Sequence, residues 1–270
     1  MITISDLAKK HNYLSNIPFL FDSSIWEYDI SQANINALRA FNRISEEDYQ
    51  RLSMGSKTDR EVTVGKWIRD DRSIQDTIYK GIEIAKLNLM SIGKITPDMV
   101  LRIANDSLFV ISSRDISNNG IIPVNVNDTQ MIFKVKGYYT YYMKFKKEGI
   151  LFFFGPGDQN GYEVNVIGIN NDKLYLHTPF ISFLCNLCSA YNTGGKHLAL
   201  QLFNNFYTDY VSRRLSIEYY REFNSNSGYR FNTQLESFLL MDINPCYIDR
   251  ISIDCNLNIL RTIYSYLVGA

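Results

Sequence analysis

The chain has 270 residues, 46% of them apolar and 21% charged, enough to bury a substantial core in one large domain or two small ones. Its 28 basic residues balance 28 acidic ones, so global charge announces no polyanionic partner and only local patches can. No apolar run reaches bilayer-spanning length, and MITISDLAKKHNYL lacks the apolar core of a signal peptide, so a cytoplasmic protein is expected.

In chain order, SIWEYDIS (24–31) reads as a strand. Gln32 to Arg43 reads as a helix, with Ile35, Leu38 and Phe41 on one side. Ser45-Glu46-Glu47-Asp48 is an N-cap with acids in the first turn of a short helix. SMGSKTDRE (53–61) reads as a polar loop. A long helix follows over 73–92, its face marked by Ile74, Ile78, Ile82, Ala85 and Leu89, with Gly93 at its end and Pro97 beyond. Residues 99–113 read as one apolar strand interrupted by Asn105-Asp106-Ser107. Asn118-Asn119-Gly120 is a turn signal.

From 131 to 154 the chain reads as strands, with turns at Gly137 and Glu148-Gly149. A further pair, YEVNVIGI and KLYLHT, is joined by Asn170-Asn171-Asp172. The remainder reads as helices near 180–191, 195–223, 233–241 and 256–268, with a soft boundary near residue 178. Four cysteines occur, Cys185, Cys188, Cys246 and Cys255. The CNLC pair has no matching second pair and lies among Phe183, Leu184 and Leu187, so reduced core thiols are expected rather than a zinc site. His177 and His197 have no ligand or triad spacing.

Two acids stand in matching contexts. Asp29 ends a strand before a helix, and Asp106 interrupts a strand. A buried carboxylate without a partner costs several kcal/mol, so something must offset it. Two carboxylates on adjacent strands can hold a pair of divalent cations that clamp the oxygens of a phosphoryl transfer. The rival readings are an N-cap for Asp29 and a bulge satisfied by backbone amides for Asp106. Downstream, residues 131–147 carry Lys134, Lys136, Lys144, Lys146 and Lys147 with no acid. Phe133, Tyr138, Tyr139, Tyr141 and Tyr142 are interleaved among them. Lysines neutralise phosphates and aromatic rings offer stacking faces, so Tyr139 and Tyr141 are candidates for nucleic-acid contact. The rival is an amphipathic hairpin whose lysines blunt a sheet edge.

YDISQANINAL (28–38) resembles motif A of family-B DNA polymerases, and RIANDSLFV (102–110) resembles their motif C, with the helix of 74–92 leading into it. The resemblance spans roughly residues 20–150. It implies an α+β fold: a polymerase-like palm of mostly antiparallel sheet with packed helices over 1–178, reduced fingers at about 45–72, and a helical thumb-like part over 179–270. It makes Asp29 and Asp106 the catalytic metal ligands for Mg2+ or Mn2+. Asn34 falls where the family places the Tyr under the incoming sugar, and Ala104 falls where it places the first motif C Asp. Lys57, Arg60 and Lys66, with Gly65, stand in for the basic element that grips the triphosphate. Lys134, Lys136, Lys144 and Lys146 match the strand that holds the primer end. Arg213, Arg214, Arg221 and Arg230, with Tyr219, Tyr220 and Tyr229, would track a duplex.

The implied reaction is template-directed nucleotidyl transfer with a nucleoside triphosphate on primer-template DNA, in phage or mobile-element replication. Asp29 comes so early that no proofreading domain is expected before it. The alternative is a catalytically inactive polymerase-like protein that binds nucleic acid, or a structural viral protein, with Ala104 and Asn34 as marks of decay.

Overall fold

The apolar stripe of Ser73–Ile92 becomes the buried face of a helix, and the rest of the first unit is assembled on it. The computed structural model describes residues 2–145, 150–156, 162–167, 178–215 and 250–269. The chain is α+β with antiparallel sheets, and it divides into two compact units. Residues 1–17 and 23–139 form the first; residues 18–22 and 140–270 form the second.

The first unit runs α1 (Ile4–Ala8), β1 (Asn12–Leu14), then, after the 18–22 segment that carries β2 (Phe19–Leu20), β3 (Ile25–Ile30) and α2 (Ala33–Ala40). Next come α3 (Glu46–Met54), α4 (Lys57–Asp70) and α5 (Ser73–Ile92). The strands β4 (Val100–Ala104), β5 (Ser107–Ile111), β6 (Ile121–Val126) and β7 (Thr129–Tyr139) complete it. Its six-stranded sheet has the order β1-β4-β5-β3-β7-β6. Tyr28, Ile30, Ile103, Leu108, Val110 and Phe133 of the sheet share one buried cluster with Ile35, Leu38, Ile78, Ile82, Ala85 and Leu89 of the helices. Strand alternation turns Glu27, Asp29 and Ser107 to the opposite face. The α2–α5 crossing is close because Gly81 has no side chain: a Cβ there would lie 2.5 Å from the Ala37 Cβ.

Local chemistry departs from the sequence reading in two places that bear on the site. The loop expected over 53–61 is helical on both sides of Gly55. Ser56 caps α4, its Oγ accepting from Asp59 N at 3.1 Å, so Lys57 and Arg60 lie on a helix. The Ser-x-x-Asp pattern carried that signal. The expected strand over 99–113 is a tight hairpin. Ala104 pairs with Ser107, and Asn105 takes a left-handed φ of 51°, a conformation Asn tolerates better than most residues. Asp106 therefore sits at a turn, not in a strand interior. Gly137, expected at a turn, lies inside β7.

The second unit holds β2, β8 (Tyr141–Phe145), β9 (Ile150–Pro156) and β10 (Tyr162–Ile167) in the order β10-β9-β8-β2, with helices α6 (Thr178–Val211) and α7 (Arg250–Gly269). Tyr141, Met143, Phe152 and Phe154 of its sheet share a core with Phe183, Leu187, Phe203, Leu260, Ile263 and Leu267. The C-terminal helices thus cover a sheet of their own, and the boundary expected near residue 178 falls inside this unit. Strands 141–167 pair with one another and with Phe19–Leu20, so the compact break comes at Tyr139–Thr140. α6 bends at Gly195, whose φ of 65° is outside the helical range. Lys146, His177, Cys246, Tyr219, Tyr220, Arg221, Tyr229 and Arg230 lie outside the described residues, as does the turn at 170–172.

Candidate functional site

Asp29 is the penultimate residue of β3, opposite Ser107 on one side and Lys134 on the other. The residue before Ser107 is Asp106. Its carbonyl accepts a 3.2 Å hydrogen bond from Ile30 N, and the Asn105 amide is tied at 2.6 Å to the His11 carbonyl. The hairpin turn is thereby pinned beside the end of β3. Asp29 and Asp106 line one open cavity of about 440 Å³. Burial, and after it the negative charge of Asp106, push the Asp29 carboxyl up to about 6, against a pull from Lys136 and Lys57. Among the described residues neither carboxylate has a hydrogen-bond or ion-pair partner for its side chain.

The same cavity is lined by Lys57, Arg60, Asn34 and Lys134. The first turn of α2, residues Ala33 to Ile35, also faces it. No side chain caps that turn: the cap position is Gln32, in a left-handed conformation with φ 52°, and its amide donates instead to the Ser53 carbonyl at 3.1 Å. Asp29 is therefore not the helix cap. Lys57 stands at the start of α4, exposed, with a 3.7 Å contact to Glu61 one turn on. Arg60 is partly committed to the end of α3, donating to the carbonyls of Gly55 at 2.6 Å and Leu52 at 3.4 Å.

Other expected residues fall elsewhere. Lys66 is exposed on α4 but lies off the face formed by residues 57, 60, 61 and 64 that lines the cavity. A Cβ on Gly65 would meet nothing within 4 Å, so no close approach requires that glycine. Tyr139 and Tyr141, expected as stacking faces, are 1% and 0% exposed. The Tyr139 hydroxyl is bound to Glu27, and the Tyr141 hydroxyl donates to the Asn192 side chain. Their rings are core, so neither offers a face to a ligand. Lys144 belongs to β8 of the second unit, its amide bonded to the Pro18 carbonyl. Arg213 and Arg214 follow α6 and are exposed, with Arg214 3.4 Å from Asp209. Cys185 and Cys188 are free thiols; burial pushes the first up to about 11 and the second well above its ordinary value.

A profile of the bacteriophage PBS1 gene 130 protein matches residues 1–268. The chain belongs to that phage protein family. No curated protein matches it. The family's name points to a phage and states no activity. Among the described residues of this gene 130 family member, no helix is long and apolar enough to cross a membrane.

Two further groups of this family member bear on the site and were missed in the sequence. Glu27 lies two residues before Asp29 on the same strand face, 4% exposed. Its oxygens accept from Tyr139 Oη at 2.9 Å and Ser107 Oγ at 3.4 Å, and Lys136 Nζ approaches to 3.7 Å. The alternation of IWEYDI carried that signal. Lys86 follows Ile78 and Ile82 at four-residue spacing on the buried face of α5. It is 1% exposed and donates to the Lys10 carbonyl at 2.6 Å. Burial lowers it to about 8, against the opposing pull of Glu83 and Asp106. The carboxylates that line the cavity offer oxygen ligands, which suit a hard cation such as Mg2+ or Mn2+. No group of three His, Cys, Asp or Glu side chains gathers among the described residues.

Proposed function

We propose that this protein catalyses template-directed nucleotidyl transfer on DNA, on a compact palm like that of family-B polymerases, during phage replication in the host cytoplasm. One observation carries the reading: the carboxylates of Asp29, on β3, and Asp106, at the β4–β5 turn, line a single cavity, and among the described residues no protein group bonds either of them. Loss of hydration on burial, and after it the like charge of Asp106, disfavour the ionised Asp29 carboxylate and raise its pKa. A divalent cation pair bound to these oxygens would offset it and would stabilise the attacking and leaving oxygens of the transfer.

The remaining residues take roles by position. Lys57 and the uncapped first turn of α2 offer positive charge and amide donors to the triphosphate of a nucleoside triphosphate. Arg60 borders the same space but keeps part of its donor capacity for α3. Asn34, on that turn, is placed against the sugar. Lys134 and Lys136 contact the primer-template. Lys66, Tyr139 and Tyr141 take no part.

Primer extension tests the reading, comparing the wild type with Asp106→Ala in Mg2+ and in Mn2+. Extension by the wild type and its loss in the variant is the expected result. Equal extension by both proteins overturns the mechanism. The second reading, an inactive polymerase-like protein that binds DNA, is favoured by Ala104, which pairs with Ser107 beside the turn where the resemblance calls for an acid. It predicts no extension and DNA binding indifferent to metal.

A further inference from the structure

Asp29 has a lysine close by that it does not bond. The Lys136 charge acts on Asp29, yet its Nζ lies 3.7 Å from Glu27 Oε1. Three features of the chain serve that arrangement. First, Glu27 pairs with Gly137 and Tyr28 pairs with Val135, so Lys136 is the extra residue of a β-bulge. A bulge re-aims the side chain it carries. Second, the Tyr139 hydroxyl, buried with its ring, fixes Oε2 of Glu27 at 2.9 Å. Third, a Cβ on Gly137 would lie 2.3 Å from that hydroxyl, so only glycine lets the phenol fold back to reach the acid. Ser107 adds a 3.4 Å hydrogen bond to Oε1.

We propose that Glu27 is a positioning residue that holds the Lys136 ammonium away from Asp29, so that both oxygens of Asp29 stay open to a cation. This rests on the reading of Asp29 as a cation ligand. Without Glu27 the lysine remains beside Asp29, whose charge it already feels, and an internal ion pair would compete with any metal.

The test is a double-mutant cycle on the full chain, read as Mn2+ affinity by titration calorimetry. Glu27→Gln is expected to weaken Mn2+ binding by about tenfold or more, the usual cost of losing a group that orients a ligand. Lys136→Met restores binding in the Glu27→Gln background, a gain clearly larger than the one it gives in the wild type. That non-additivity is the signature, because simple removal of one charge from each residue would add. Equal effects of Lys136→Met in both backgrounds overturn the inference.

A crystal structure of Glu27→Gln supplies an arm that needs no metal: Lys136 Nζ moves into contact with Asp29, and an Nζ that stays clear of it overturns the inference. If the wild type binds no Mn2+, the functional reading fails while this arm still decides the lysine's position. If Glu27→Gln does not fold, Glu27→Asp, which withdraws the charge by one methylene, is read in the same two ways.

Discussion

Asp29 lies opposite Ser107 in the β3–β5 ladder, and the residue before Ser107 is the turn residue Asp106. That register brings together two acids that are far apart in the chain, at the ends of adjacent strands. It also places Lys134 on the other flank of Asp29. Burial of the Asp29 carboxylate, with the charge of Asp106 beside it, is a local destabilisation, and it can be measured.

Asp29→Asn is expected to raise the thermal stability of the metal-free protein at about pH 8. The Asp29 carboxyl is raised from 3.8 to about 6 in the folded state. Between those values the folded chain binds the proton more tightly than the unfolded chain, so stability falls as pH rises, and the deficit stays constant above the upper value. The advantage of the variant should therefore shrink as pH drops through about 6 toward about 4. Thermal melts in chelator across that range give the answer; a variant melting below the wild type at every pH contradicts the electrostatic account. Added Mn2+ should reverse the order, since only the wild type gains from ligation.

Lys86 predicts the opposite slope in an alkaline window. Its folded value, about 8, lies below its ordinary 10.5, because the buried ammonium loses hydration. Across that interval the unfolded chain holds more protons, so this group adds stability as pH rises. Denaturant unfolding of the wild type and of Lys86→Met, compared at several alkaline pH values, isolates the contribution. The difference between the two curves should change across the window and flatten beyond it.

Close helix packing makes Gly81→Ala costly despite the better helix propensity of alanine. The new Cβ would lie 2.5 Å from that of Ala37, inside any real contact distance. The expected loss is about 1–3 kcal/mol, the usual range for overpacking. Chemical denaturation measures it, and a stabilised variant would mean that α2 and α5 sit farther apart in solution.

Removal of the α4 cap acts on the proposed triphosphate site. Ser56→Ala deletes the acceptor for Asp59 N and should cost about 1 kcal/mol of local helix stability. Hydrogen exchange should quicken over the first turn of α4, which carries Lys57. Nucleotide affinity should fall with it. Unchanged exchange at residues 57–60 would show that packing of Val64, rather than the cap, holds the helix start.

Much of the first unit was legible because its periodicities are strong. The stripe from Ile74 to Leu89 yields a helix whose ends coincide with those expected, and SIWEYDIS yields the strand that bears Asp29. The pairing of Asp29 with Asp106 was readable as a proposition from the two motifs. The hairpin at 104–107 was not distinguished from a continuous strand, since Asn-Asp between apolar runs fits a bulge as well as a turn. The helix at 57–70 was hidden by its polarity: only Val64 of its residues is buried, so no apolar stripe announces it.

Side-chain fates were the hardest to foresee. Lysine and tyrosine alternate through 131–147 in a way that suits nucleic acid, but alternation says only which residues share a face. It does not say which face is covered. The burial of Tyr139 and Tyr141 follows from partners distant in the chain: Glu27 for the first, Phe154 and Asn192 for the second.

Element types, the apolar faces of helices and the order of the two acids are local properties, written in spacing and caps, and the chain alone specified them. Ladder register, the Lys136 bulge, the capture of that lysine by Glu27 and the split into two sheets depend on pairings between segments remote in sequence. Such pairings are settled by packing and by hydrogen-bond competition in the folded whole, where a shift of one residue would turn Asp29 from the cavity into the core.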